Sequence, residues 1–121
     1  MVANWFFDSS VTLRGWLYPL SEKPGTPPPP PVSARTLQEA TLSGDVQYVI
    51  IHDENNEWIG TLLWQRSDDH AWTFHEFDLT AYAGQTIKPN FGVCNDGQDG
   101  ITAMYVDDVS LEICYPSSPW Q

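Results

Sequence analysis

The chain has 121 residues, the length of one ordinary domain, with 41% hydrophobic and 13% aromatic residues including 6 Trp, too much apolar matter for a disordered chain. Sixteen Asp and Glu stand against 5 Lys and Arg, a formal net charge of -11. That balance removes the basic footprint that nucleic acid or an anionic membrane surface requires, so neither is an expected partner. No apolar run approaches the roughly 18 residues of a membrane span, and "MVANWFFDSSV" has neither the basic start nor the long apolar stretch of a signal peptide.

The pattern is strand-like almost throughout. After the opening "NWFFD", "VTLRGWLY" alternates Val11, Leu13 and Leu17 on one face with Thr12, Arg14, Trp16 and Tyr18 on the other. Residues 21–44 interrupt this with a proline run, which must be extended polyproline and cannot enter a sheet interior. A proline-rich run is occasionally a ligand for aromatic-grooved modules, but a stiff loop insertion is the plainer reading. Within it "SARTLQEATLSG" offers one or two helical turns at most, since Leu37 and Leu42 form no stripe.

"DVQYVIIHD" and "EWIGTLLWQ" read as strands joined by a hairpin turn at Asn55 and Asn56, residues that tolerate positive φ. "AWTFHEFDL" follows as a further strand. In "FDLTAYAGQT" Asp78 can cap a turn, Gly84 can take a left-handed exit, and Tyr82 can drop its ring into the core while its hydroxyl bonds a nearby carbonyl. Pro89 in "TIKPNFGVC" costs a ladder bond, which predicts an edge strand or a bulge. "NDGQDG" reads as a turn returning that strand, in a hairpin, to "TAMYVDDVSLEIC". Cys94 and Cys114 would then stand at mismatched heights, which disfavours a bond between them. Residues 115–121 form a tail. The expected fold is all-β, one antiparallel two-sheet sandwich of jelly-roll type over residues 1–121.

The last strand poses a problem. Val109, Leu111 and Ile113 share a face, and strict alternation puts Asp107 there too, where a lone carboxylate costs several kcal/mol or more. Either a bulge at Asp107 and Asp108 restores Val106 to the core and turns both acids outward, or a cation answers the charge.

"VTLRGWLYPLSE", "FDLTAYAGQTIKPNFGVCNDG" and "AMYVDDVSLEIC", in that order, resemble the galactose-binding-like jelly-roll domains of bacterial surface proteins, including MAM-like and carbohydrate-binding domains attached to immune-inhibitor-type metalloproteases. The resemblance runs from Val11 to Cys114. Family members place several tens of residues before the strand that starts here at Val11, and they carry a bulky inward residue where Gly15 stands. The resemblance implies a structural calcium with Asp107 as ligand, Asp108 next, and Asp8 as the N-terminal partner. It also implies an extracellular or cell-surface setting.

Catalysis is not expected. His52, His70 and His75 show none of the spacings of metalloproteases or serine hydrolases, and the hairpin acids Glu54 and Glu57 flank a turn rather than a cleft. Trp16 and Tyr18 beside Arg14 form one candidate strip for stacking sugar rings, and Trp58 and Trp64, with Leu62 between them, form a second. The alternative for each is packing in the core or beneath the proline-rich insertion. A noncatalytic glycan-binding or adhesion module is therefore the leading expectation. A subunit that self-assembles into an oligomer through unpaired sheet edges, and an accessory domain of a secreted protease, remain open beside it.

Overall fold

The computed structural model describes residues 10–30 and 44–114. Among the described residues six strands make two antiparallel sheets: β1 (Ser10–Ser21), β2 (Val46–Asp53), β3 (Trp58–Gln65), β4 (Thr73–Asp78), β5 (Ile87–Cys94) and β6 (Thr102–Cys114). One sheet has the order β4-β1-β6 and the other β3-β2-β5, so the fold is a β-sandwich. Among the described residues no helix is long and apolar enough to cross a membrane.

Alternation decides which side of each strand faces in. Val11, Leu13 and Leu17 of β1 meet Val49 and Ile51 of β2 across the gap, with Leu79 and Ile87 closing the layer, all fully buried. The same count leaves Thr12, Arg14, Trp16 and Tyr18 on the outer side of β1.

Polar groups latch one end of this core. Gln47 of β2, fully buried, donates its amide to the carbonyls of Leu20 (3.0 Å), Ser67 (3.0 Å) and Ala103 (2.9 Å), bonding one sheet to the other. Asp45, equally buried, accepts the Asp96 N–H (2.8 Å) and the Thr102 hydroxyl (2.7 Å), and the Thr102 hydroxyl also lies 2.9 Å from that of Ser21. The Lys23 ammonium caps the group, 3.3 Å from Asp45 and 2.7 Å from Asp96.

The turns follow their chemistry. Asp53 accepts the N–H groups of Asn55 (2.8 Å) and Glu57 (2.9 Å), and Asn56 takes φ 63°, closing the β2–β3 hairpin. After β4, Asp78 caps Thr80 at 2.9 Å, a single 3-10 turn spans Thr80–Tyr82, and Gly84 leaves with φ 81°. This corner carries the chain from the first sheet to the second. Tyr82 packs its ring on the core, with its hydroxyl set against Gly60 so closely that a Cβ there would overlap it. Pro89 stands on β5, an edge strand, as its missing N–H requires.

Three expectations need correction. β5 and β6 form no hairpin: they lie in different sheets, and "NDGQDG" crosses between them because Asp96 is tied to Asp45 rather than turning back. Cys94 pairs opposite Val46 and Cys114 opposite Ser10, so the two thiols are free and belong to separate layers. Leu62 does not lie between the two tryptophans of β3. Register shifts at Val49/Ile50 and Ile51/His52 leave Leu62 and Ile59 as the extra residues of two bulges, and Leu62 packs on the core.

At the acid pair β1 advances from Arg14 to Trp16 while β6 runs from Ser110 to Asp107, a bulge opposite Gly15. Asp108 takes φ 52° and its N–H bonds the Asp107 carboxylate at 2.9 Å. Both acids are exposed, so the bulge carries their charge to water. It does not bury Val106, which like Val109 remains 37% exposed. Gly15 faces Val109, and a Cβ there would lie in ordinary contact, 3.5 Å from Val109 Cγ2. The expected strand at "NWFFD", the turns of residues 33–44 before Gly44, and the tail lie outside the described residues.

Gly92 makes a sharp test of the second sheet. The Tyr48 ring crosses it, and a Cβ there would sit 2.5 Å from the hydroxyl oxygen and 2.7 Å from Cζ. Gly92→Ala must displace the ring, and urea unfolding should show a loss of about 1–3 kcal/mol. A change below about 0.5 kcal/mol would refute this placement of Tyr48.

Candidate functional site

The outer face of β4-β1-β6 carries an open strip of aromatic rings. On β1 stand Trp16 and Tyr18; Trp16 pairs with Phe74 of β4 on one side and Asp107 of β6 on the other, and Tyr18 with Tyr105 of β6. Ring centroids lie 5.1 Å apart for Trp16 and Phe74, 5.4 Å for Tyr18 and Trp72, and 6.1 Å for Tyr18 and Tyr105. Trp16 is 39% exposed, Phe74 43%, Trp72 47% and Tyr105 60%, values far above what a core ring shows. Water contact on that scale is costly unless a ligand uses it.

Charged groups frame the strip. At one end Arg14 is held between Glu112 (2.9 Å) and Glu76 (3.8 Å), its cross-strand neighbours on the same face. The Glu112 carboxyl is kept below its usual range, by the Cys114 thiol and then by Arg14. At the other end the face dips into a shallow pocket of about 390 Å³ lined by Leu20, Glu22, Asp68, His70, Ile101 and Ala103. There His70 Nε2 lies 2.6 Å from Asp68, whose carboxyl is held below its usual value by the Ser21 amide first and by His70 after it. The nearby Ser21 hydroxyl is engaged with Thr102 and the Lys23 N–H, so histidine, acid and hydroxyl do not line up as a nucleophile relay.

Of the five residues expected to bind a ligand, Arg14, Trp16 and Tyr18 share this face, whereas Trp58 and Trp64 stand on the outer side of the opposite sheet. Their rings stack at 5.6 Å, with Tyr48 6.4 Å from Trp64. Trp64 donates its indole N–H to the Pro28 carbonyl at 2.6 Å, beneath the insertion, and Trp58 donates to Gly60 at 3.0 Å. Trp72, Phe74, Tyr105 and the His70–Asp68 pair were not singled out by sequence. The alternation of "AWTFHEFDL" could have flagged Trp72 and Phe74, once β4 was known to lie beside β1.

Calcium asks for 6 to 8 oxygens. Asp107 and Asp108 point to water, Asp8 lies outside the described residues, and among those residues no three His, Cys, Asp or Glu side chains converge.

No protein-family model matches the chain, and no solved structure does. A stretch of 43 residues, 36% of the chain, is 43% identical to a pre-pro-metalloprotease, PrtV, of Vibrio cholerae serotype O1, in strain M66-2 and in strain ATCC 39315 / El Tor Inaba N16961. That stretch is 5% of the relative's length.

Two further histidines report on packing. Burial lowers the pKa of His52 and of His75. His52 Nδ1 sits 2.6 Å from Asn90 Nδ2, and its Nε2 is enclosed without a partner among the described residues; His75 stacks on Phe77 at 5.8 Å. A histidine with a depressed folded pKa contributes fully above its unfolded value of about 6.5 and loses that contribution as pH falls through it toward the folded one. The thermal midpoint should therefore drop between about pH 7 and 5, before most carboxylates titrate. His52→Gln, which keeps an acceptor for Asn90, should make that drop shallower. Parallel curves would remove His52 from the effect.

Proposed function

We propose that this chain is a noncatalytic, extracellular binding module that holds a neutral polysaccharide across the outer face of β4-β1-β6. The observation that carries the reading is the joint exposure of Trp16, Trp72, Phe74 and Tyr105 around Tyr18 on one sheet face. Sugar rings present patches of C–H on which aromatic faces pack, and their hydroxyls are answered by charged groups at the rim, here Arg14 with Glu76 and Glu112, and Asp107 beside Trp16. Those acids outnumber Arg14, so the face repels sulfated or uronic-acid chains, and neutral ones fit it better.

Affinity electrophoresis through gels containing neutral or anionic polysaccharides tests this. Retardation by at least one neutral polymer, and by no anionic one at low salt, is the expected result. A chain that migrates freely through every neutral gel contradicts it.

The partial match to a metalloprotease favours a second reading, an accessory domain whose ring strip packs against the rest of a longer protein. In that case the isolated chain binds no polysaccharide, and the strip is buried in the parent.

A further inference from the structure

The proline strap and the tryptophans beneath it form a second arrangement, on the opposite side of the sandwich from the ring strip. Consecutive prolines leave the backbone little freedom, since each ring fixes φ near about -65° and bars the residue before it from the helical region. Pro27 to Pro30 are thereby biased to the polyproline II form, which leaves its carbonyls without internal donors. Pro27 and Pro28 are half-buried, and the Pro28 carbonyl takes the Trp64 indole N–H of β3 at 2.6 Å. Trp58 stacks on Trp64 and Tyr48 flanks it, so the indole that bonds Pro28 belongs to a row of three rings. Flat rings that receive proline rings, with one indole N–H fixing the register, are the means by which aromatic grooves read proline-rich peptides.

The seat is shaped around the strap. Gly25 donates to the Arg66 carbonyl at 3.0 Å, and Arg66 Nη2 to that of Thr26 at 3.2 Å. Gly44 approaches so closely that a Cβ would lie 3.0 Å from Arg66 Nη1 and 3.4 Å from Pro28 Cδ. Arg66 Nε, buried here, has no partner among the described residues. Yet the hold on the prolines themselves is slight, with Pro29 and Pro30 already exposed.

We infer that the Tyr48–Trp58–Trp64 ladder is a polyproline II binding site, filled in this chain by its own Pro27 and Pro28, whose partner in trans is a proline-rich segment of another polypeptide. The tethered strap competes at an effective concentration of about millimolar. A free peptide therefore binds the intact chain weakly, and a chain whose strap is disabled binds it better.

The test follows the Trp64 indole N–H resonance while a proline decamer is added to the full chain. With Pro27→Ser and Pro28→Ser together, the resonance should move at a decamer concentration about tenfold or more below that needed for the wild type. Adding Trp64→Phe, which keeps a ring and removes the donor, should weaken decamer binding about tenfold, read from the Trp58 indole. A folded double variant whose Trp64 signal stays fixed up to about 5 mM decamer overturns the proposal. Should that variant not fold, a wild-type signal fixed up to about 10 mM overturns it equally. A concentration-dependent dimer that the decamer dissolves would put a second copy's strap in the seat, and overturn the assignment to another polypeptide.

Discussion

Replacing Trp16 and Trp72 together by Ala should abolish most retention on a neutral polysaccharide, weakening binding about 100-fold. Each indole offers a face that a sugar ring covers on binding, a gain of about 1–2 kcal/mol from apolar burial and ring contact, or roughly tenfold in affinity. The two rings sit in separate pairs, Trp16 with Phe74 and Trp72 with Tyr18, so neither takes over the other's contact. Both are well exposed, and their loss should leave the urea midpoint nearly unchanged. Trp64→Ala should do the reverse, lowering stability through its lost stacking on Trp58 while leaving polysaccharide retention intact. If the Trp64 variant loses retention and the Trp16/Trp72 variant keeps it, the binding face has been placed on the wrong sheet.

Asp45→Ala should be the most destabilising single change at the latched end, costing about 3–5 kcal/mol. The carboxylate is fully buried and receives the Asp96 N–H, the Thr102 hydroxyl and the Lys23 ammonium. Truncation leaves these donors without their acceptor inside the fold. A loss of that size is a large share of the total stability of a small domain, roughly 5–15 kcal/mol. Asp45→Asn retains a carbonyl for one donor and should cost less, about 1–3 kcal/mol. Urea unfolding of the three proteins gives the ranking. Equal midpoints for Asp45→Ala and the wild type would show that the cluster does not hold β1, β6 and the β2 entry together.

Local chemistry made much of the sandwich legible. Asp78, Tyr82 and Gly84 encode the corner in a span where few conformations satisfy all three, and Asn56 does the same for the β2–β3 hairpin. The acid pair was legible as a dilemma, because a buried lone carboxylate is too costly, and a bulge opposite Gly15 does turn both acids outward, without burying Val106. Alternation along β1 also placed Arg14, Trp16 and Tyr18 outside.

Pairing between strands was beyond local reading. Whether "NDGQDG" turns back or crosses over depends on Asp96 meeting Asp45, 51 residues earlier in the chain. Trp72, Phe74 and Tyr105 join the strip only because β4 and β6 flank β1, a fact of register rather than composition. The two bulges of β3 likewise answer long-range demands, since Gly60 must lie under the Tyr82 hydroxyl. Gln47 acquires its role only from the three carbonyls that surround it, which local sequence does not bring together.

The most direct measurement titrates a neutral oligosaccharide of the best-retained polymer into the labelled chain and follows all side-chain aromatic resonances. The prediction is that Trp16, Trp72, Phe74 and Tyr105 shift together in one saturable event while Trp58 and Trp64 stay still. Saturable shifts confined to Trp58 and Trp64, or no shift in any ring at a concentration that retards the chain in gels, would contradict binding on the face of β4-β1-β6.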